Sequence, residues 1–81
     1  MVKEIISDII QFITKDIGYP IKLNNQSNLV DDAGMDSLDI QDLIGHLEAK
    51  FNVKFDENDH SIFKKSIQDI AEYTNSLRHD A

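Results

Sequence analysis

The stretch Gly34-Met35-Asp36-Ser37-Leu38-Asp39-Ile40 closes a long polar segment and opens an amphipathic helix. Asp36 is a strong N-cap residue and Asp39 lies three positions on, so the run approximates a capping box with Asp in place of the usual Glu or Gln. Ser37 then takes the first helical position. Downstream, Ile40, Leu43, Ile44, Leu47 and Phe51 fall at i, i+3, i+4, i+7 and i+11, which predicts a helix over about 37 to 51 with one core face. Leu38, Gln41, Asp42, Gly45, Glu48 and Ala49 lie on the opposite side. A phosphate ester on Ser37 would sit beside unpaired backbone N–H groups and the positive end of the helix dipole, which favours an anion by roughly 0.3–1 kcal/mol. Taken alone, an Asp-Ser-Leu tripeptide is an ordinary capped helix start.

Upstream, Ile6, Ile9, Ile10, Ile13 and Ile17, widened by Ile5 and Phe12, recur at helical spacing and predict a first helix over about 2 to 16. Gly18 and Pro20 end it. Its polar positions Lys3, Glu4, Ser7, Asp8, Gln11 and Lys15 are expected to form a solvated face. From Gly18 to Met35 no period is sustained and Asn24-Asn25-Gln26-Ser27-Asn28 is wholly polar, so a long loop follows. Loops beyond about 12–15 residues are uncommon in compact domains. Tyr19, Ile21, Leu23, Leu29 and Val30 are therefore expected to pin this one to the helices, and Gly34 to supply a turn.

Beyond the central helix, a short third helix is expected near Asp56 to Phe63, with Ile62 and Phe63 inward. Ser66 and Asp69 imitate a capping box and start a fourth helix to about Leu77, whose apolar side is Ile67, Ile70, Ala71, Thr74 and Leu77. The tail from Arg78 to Ala81 is expected to fray. Val53-Lys54-Phe55 is too short to count as a strand. The expected fold is all-α, a small four-helix bundle of three longer helices and one short helix, in a single domain over 1–81.

Composition narrows the partners. The chain has 81 residues, no Cys or Trp, and a formal charge of −7. Disulfides and Cys-based metal sites are excluded, and a nucleic-acid partner is disfavoured because phosphates attract basic surfaces. Between Asp31 and Asp59 the carboxylates of Asp31, Asp32, Asp36, Asp39, Asp42, Glu48, Asp56, Glu57 and Asp59 face only Lys50 and Lys54. That imbalance suits partners with Lys and Arg patches, or simply a solvated face. The Ile5 to Ile13 run is broken by Ser7, Asp8 and Gln11 and fits neither a signal peptide nor a membrane span, so a cytoplasmic location is expected.

The wider pattern Leu29, Asp32, Gly34, Asp36-Ser37-Leu38-Asp39, Leu43, Leu47-Glu48 and Phe51 resembles the acyl carrier proteins of fatty-acid and polyketide synthesis, over nearly the whole chain. The resemblance implies that Ser37, flanked by Asp36 and Leu38, receives 4′-phosphopantetheine from coenzyme A and carries acyl thioesters on it. It implies a monomeric, non-catalytic carrier served by a phosphopantetheinyl transferase and by acyltransferases, ketosynthases or other acyl-processing enzymes. Asp36, Leu38, Asp39, Gln41, Asp42, Gly45 and Glu48 are the expected docking positions, and Leu47, Ile62 and Phe63 the expected lining of an acyl-chain pocket. The chain departs from the family at Gln41 and Gly45, where many fatty-acid carriers have Val and Met, at Thr74, often Ile, and at His46, often a small residue. These changes suit a specialised cargo.

Three other readings compete. A nucleophilic Ser37 needs a base, but His46 lies nine residues on, about 180° around the helix and about 13 Å along it. His60 and His79 could reach it only through the fold, and a Gly-x-Ser-x-Gly elbow is missing. Asp31, Asp32 and Asp36 lack the ligand spacing of a calcium loop, which leaves weak surface binding of divalent ions at most and no metal site. An acidic helical interaction module without covalent cargo explains the charge but gives Ser37 no role.

Overall fold

The computed structural model describes residues 2–20 and 22–78, with side chains described throughout except at 57–59. Three α-helices, α1 (Val2–Gln11), α2 (Ser37–Phe51) and α3 (Ile67–Leu77), are joined by one π-helical and one 3-10 segment. Among the described residues there is no strand, only an isolated antiparallel bridge between Asn28 and Ser66. The described residues are thus all-helical as expected, but the short third helix is a 3-10 segment, Glu57–Lys64, and not an α-helix. Of the tail expected to fray, Arg78 instead caps the end of α3 and lies over the Phe51 ring at 5.4 Å, while the rest of it, His79 included, and the expected anchor Ile21 lie outside the described residues.

The first helix differs from a uniform α-helix over 2 to 16. Its α geometry ends at Gln11 and a π turn continues through Phe12–Ile17. Thr14 Oγ1 donates to the Ile10 carbonyl at 2.8 Å, a side-chain bond of the kind that bends helices where it competes with the backbone ladder. The buried residues Ile5, Ile9 and Ile13 are spaced by four, which drifts about 40° per step around an α-helix. A wider π turn rotates less per residue and keeps Ile17 near the same line. The segment closes where Gly18 and Tyr19 N–H both donate to the Ile13 carbonyl, at 3.0 and 3.1 Å, with Gly18 at φ 98. An L side chain rarely tolerates that φ, so glycine is required there.

α1 packs principally on α3. The core between the helices holds Ile5, Ile9 and Ile13 of the first helix, Leu43, Ile44 and Leu47 of α2, and Ile67, Ile70 and Ala71 of α3. Leu29 and Met35 of the loop, and Val53, Phe55 and Phe63 beyond α2, complete it. Phe55 meets Phe63 edge-on at 5.2 Å, a favoured aromatic geometry. Thr74 is fully buried, and its hydroxyl is satisfied by the Ile70 carbonyl at 2.8 Å.

Asp8, expected on a solvated face, is instead an interhelical hub with its side chain only 10% exposed. Its Oδ2 accepts from His46 Nε2 and its Oδ1 from Lys50 Nζ, both at 2.7 Å. The hydrogen bond and charge of Asp8 hold the Lys50 ammonium above the usual lysine range. His46 also stacks on Phe12 at 4.2 Å. The histidine nearest Ser37 in sequence is therefore engaged by Asp8 and Phe12.

The polar block of the loop has a specific task. The first N–H groups of a helix lack intrahelical acceptors, and those of Ile67 and Gln68 donate to the carbonyls of Ser27 and Asn25, both at 2.9 Å. Asn25 Nδ2 reaches Gln68 Oε1 at 2.6 Å and Asn28 Nδ2 reaches the Lys64 carbonyl at 2.6 Å. Leu29 is fully buried, and Tyr19 and Leu23 pack against the core as expected, whereas Val30 is 41% exposed and pins nothing. Val30 fails as an anchor because Asn28, whose Oδ1 accepts from the Val30 and Asp31 amides, turns the chain outward there.

Gly45 lies inside α2 on its exposed side, and a Cβ there would meet nothing within 4 Å. Gly45→Ala should stabilise the protein by about 0.8–1 kcal/mol, the helix-propensity difference. Chemical denaturation checks this through a raised midpoint at unchanged slope.

Candidate functional site

Ser37 stands at the start of α2 and is exposed. Gly34, at φ 71, makes the turn that brings the loop to it, and buried Ala33 and Met35 anchor the turn on either side. Asp36 has extended backbone and its Oδ1 accepts from Asp39 N–H at 2.9 Å, the expected cap. Its carbonyl takes the Ile40 N–H at 3.0 Å. The amides of Ser37 and Leu38 have no acceptor within their own helix. An exposed hydroxyl beside two such donors and the positive end of α2 suits a covalently held phosphodiester, and the residues present fit that group.

The reciprocal half of the capping box is replaced. The Asp39 carboxylate, one carbon shorter than Glu, is turned sideways, and its Oδ2 accepts from the Tyr19 hydroxyl. That hydrogen bond, with desolvation and the charges of Asp39 and Asp36, pushes the Tyr19 phenol up from 10.0 to about 12.

The expected docking positions separate into two groups. Leu38, 74% exposed, stands with exposed Gln41, Asp42 and Gly45 on the open side of α2. Asp39 and Glu48 are half-buried and already engaged, Asp39 by Tyr19 and Glu48 by the Phe55 N–H, which its Oε2 accepts at 2.8 Å. Glu48 thus closes the segment after α2, together with Asn52, whose left-handed backbone lets its N–H reach the Glu48 carbonyl. Leu47 and Phe63 are buried in the core and Ile62 packs half-buried against it. Among the described residues no group of three His, Asp or Glu side chains could hold a metal ion. Asp32 is engaged locally, accepting from Asn28 N–H at 2.7 Å.

Sequence reasoning missed Tyr19 as part of this site. Its one signal was position, an aromatic hydroxyl held between Gly18 and Pro20.

Comparison with known proteins places the chain. The family described as "Phosphopantetheine attachment site" matches residues 2–74. Proteins named acyl carrier protein are 36% identical in Thermotoga maritima, over 70% of this chain and 72% of that one, and 35% in Bdellovibrio bacteriovorus, over 67% and 68%. One from Campylobacter jejuni is 38% identical over 65% and 68%. The chain belongs to the acyl carrier protein family, non-catalytic carriers whose cofactor is covalently attached phosphopantetheine. An interaction module without cargo is set aside by that membership. No helix among the described residues is long and apolar enough to cross a membrane.

Because Tyr19 holds its proton more tightly when folded, the associated stability is present below pH 10 and lost as pH rises towards about 12. In an ultraviolet phenolate titration Tyr19 should remain protonated at about pH 11, and Asp39→Asn should bring its ionisation back towards the ordinary tyrosine value.

Proposed function

We propose that Ser37 is the attachment residue for 4′-phosphopantetheine and that the chain carries acyl intermediates as thioesters on it. The observation that carries this reading is the exposed serine hydroxyl at the capped, positive end of α2. When bound, the group supplies a flexible thiol that holds the acyl chain and delivers it at high effective concentration to each partner. The protein's own residues do the rest. Asp36 and Gly34 fix the helix start, the Ser37 and Leu38 amides would be free to hold the phosphate, and the outward side of α2 meets the partner.

Partners dock on Leu38, Gln41, Asp42 and Gly45, with Asp36 and Asp39 at the serine end, and approach with Lys and Arg. They are a phosphopantetheinyl transferase and acyl-processing enzymes such as acyltransferases and ketosynthases. Leu38 supplies an apolar contact, and Gln41 and Gly45 supply little, so charge has a larger share in recognition than where Val and Met stand. An acyl chain folded into the domain would meet Leu47 and Phe63, which are part of the core, and Ile62, which packs against it. Gln41 and Gly45, which offer little apolar contact, support a specialised carrier for a polyketide, a modified lipid or another dedicated acyl chain over one served by the usual fatty-acid enzymes.

Incubation with coenzyme A and a phosphopantetheinyl transferase should add a single phosphopantetheinyl increment to the intact mass. Ser37→Ala should abolish it, with stability changed by less than about 0.5 kcal/mol because the hydroxyl is exposed and Asp36 still caps the helix. Loading of the variant would remove the assignment.

Asp42 is the exposed carboxylate on the open side. Asp42→Lys should lower kcat/KM for transfer about two- to fivefold at low salt, consistent with a single exposed ion pair. The deficit should shrink as ionic strength rises, since screening acts over about 10 Å at 0.1 M. Rates measured across a salt series check both.

A further inference from the structure

Asp39 differs from the other carboxylates at the start of α2 in being held from outside its own helix. The Tyr19 hydroxyl donates to its Oδ2, across twenty positions of sequence, and the second oxygen is left as an acceptor. Tyr19 is itself fixed. Its N–H and that of Gly18 converge on the Ile13 carbonyl, its ring packs half-buried against the core, and Pro20 stiffens the chain that follows. The π turn and the left-handed Gly18 therefore end in a hydroxyl aimed at one carboxylate. An open cleft of about 380 Å³, lined by Ile17, Gly18, Tyr19, Pro20 and Asp39, leads to that carboxylate. Asp39 is the sole charged residue in its lining, so a long cationic side chain entering it would find one partner for its head and apolar walls for its stem.

We propose that Tyr19 is a positioning residue for partner docking, holding the Asp39 carboxylate in the one orientation that a partner's guanidinium or ammonium group meets beside Ser37. The inference rests on the reading of Ser37 as the attachment residue. An exposed aspartate must be ordered when a cation binds it, and a side chain immobilised beforehand removes that entropic cost. Tyr19 performs the ordering in the free carrier. The negative charge of both Asp36 and Asp39 bears on Tyr19, so the hydroxyl stands in the field that the partner's cation is drawn into. Its hydrogen bond to Asp39 stays in place because the phenol remains neutral and able to donate throughout the physiological range.

The test is steady-state phosphopantetheinyl transfer from coenzyme A at low salt. Its substrates are the unmodified parent chain, Tyr19→Phe, Asp39→Asn and the double variant, with circular dichroism of each. Tyr19→Phe keeps the ring and its packing and removes only the donor. It should raise KM for the carrier about two- to tenfold with kcat unchanged, the range expected for one side chain no longer ordered in advance. Asp39→Asn should raise KM at least as much, and Tyr19→Phe should then add nothing. A KM unchanged by Tyr19→Phe, with the parent loading normally, overturns this inference alone. An equal loss in both backgrounds also overturns it, because Tyr19 would then act through the loop and not through Asp39. A parent chain that accepts no phosphopantetheinyl group removes the Ser37 reading and this inference with it.

Discussion

Two backbone N–H groups at the start of α3, those of Ile67 and Gln68, find no acceptor in their own helix, and the loop carries Ser27 and Asn25 carbonyls to them. Leaving such groups unpaired near the core would cost on the order of 1–3 kcal/mol each. The loop cannot lift from α3 without exposing that cost, and its conformation sets the rest. Leu29 enters the core just beyond the strap, the Asn28 side chain turns Val30 and Asp31 outward, and Gly34 delivers Asp36 to the start of α2. A site that looks local, one serine at one helix end, is held in place by bonds to the far end of the chain.

α2 divides its circumference into three uses. One side, with Leu43, Ile44 and Leu47, is core. A second, with Asp39, His46 and Lys50, is bonded to the first helix and the residues that end it, through Tyr19 and Asp8. The third, with Leu38, Gln41, Asp42 and Gly45, is open. Position on the helix therefore decides how each carboxylate can meet a partner: Asp42 is exposed on the open side, Asp39 is held by Tyr19 with its second oxygen still able to accept, and Glu48 is turned to the segment after α2. Carboxylates that look equivalent in the sequence are committed differently: Asp8 to two cations, Glu48 to a backbone amide, Asp39 to a phenol.

What was legible in the sequence followed from local rules. The Asp36 cap, the core stripe of α2, the Ser66 cap and the turn at Gly34 each depend on residues within a few positions, and each stands as expected. The errors were tertiary. Helical periodicity puts Asp8 on the polar face, whereas its partners, His46 and Lys50, lie on another helix. Hydropathy makes Val30 an anchor for the loop, but the Asn28 side chain two positions before it controls its direction. The π turn was hidden because four-residue spacing of Ile5, Ile9 and Ile13 also fits an α-helix, and the Thr14 hydroxyl bond that accompanies the change leaves no periodic trace. The Tyr19 contact with Asp39 crosses the loop, and no spacing rule reaches that far.

The strap between the loop and α3 also has an order in time. Asn25 and Gln68 are 43 positions apart, and such distant contacts form after local ones because the intervening chain must first be closed. During synthesis the serine leaves the ribosome well before Ile67 and Gln68 do, so a nascent chain can form α2 and its cap while the loop before it still lacks its acceptor role. The finished arrangement around Ser37 thus belongs to the folded domain as a whole and not to α2 alone.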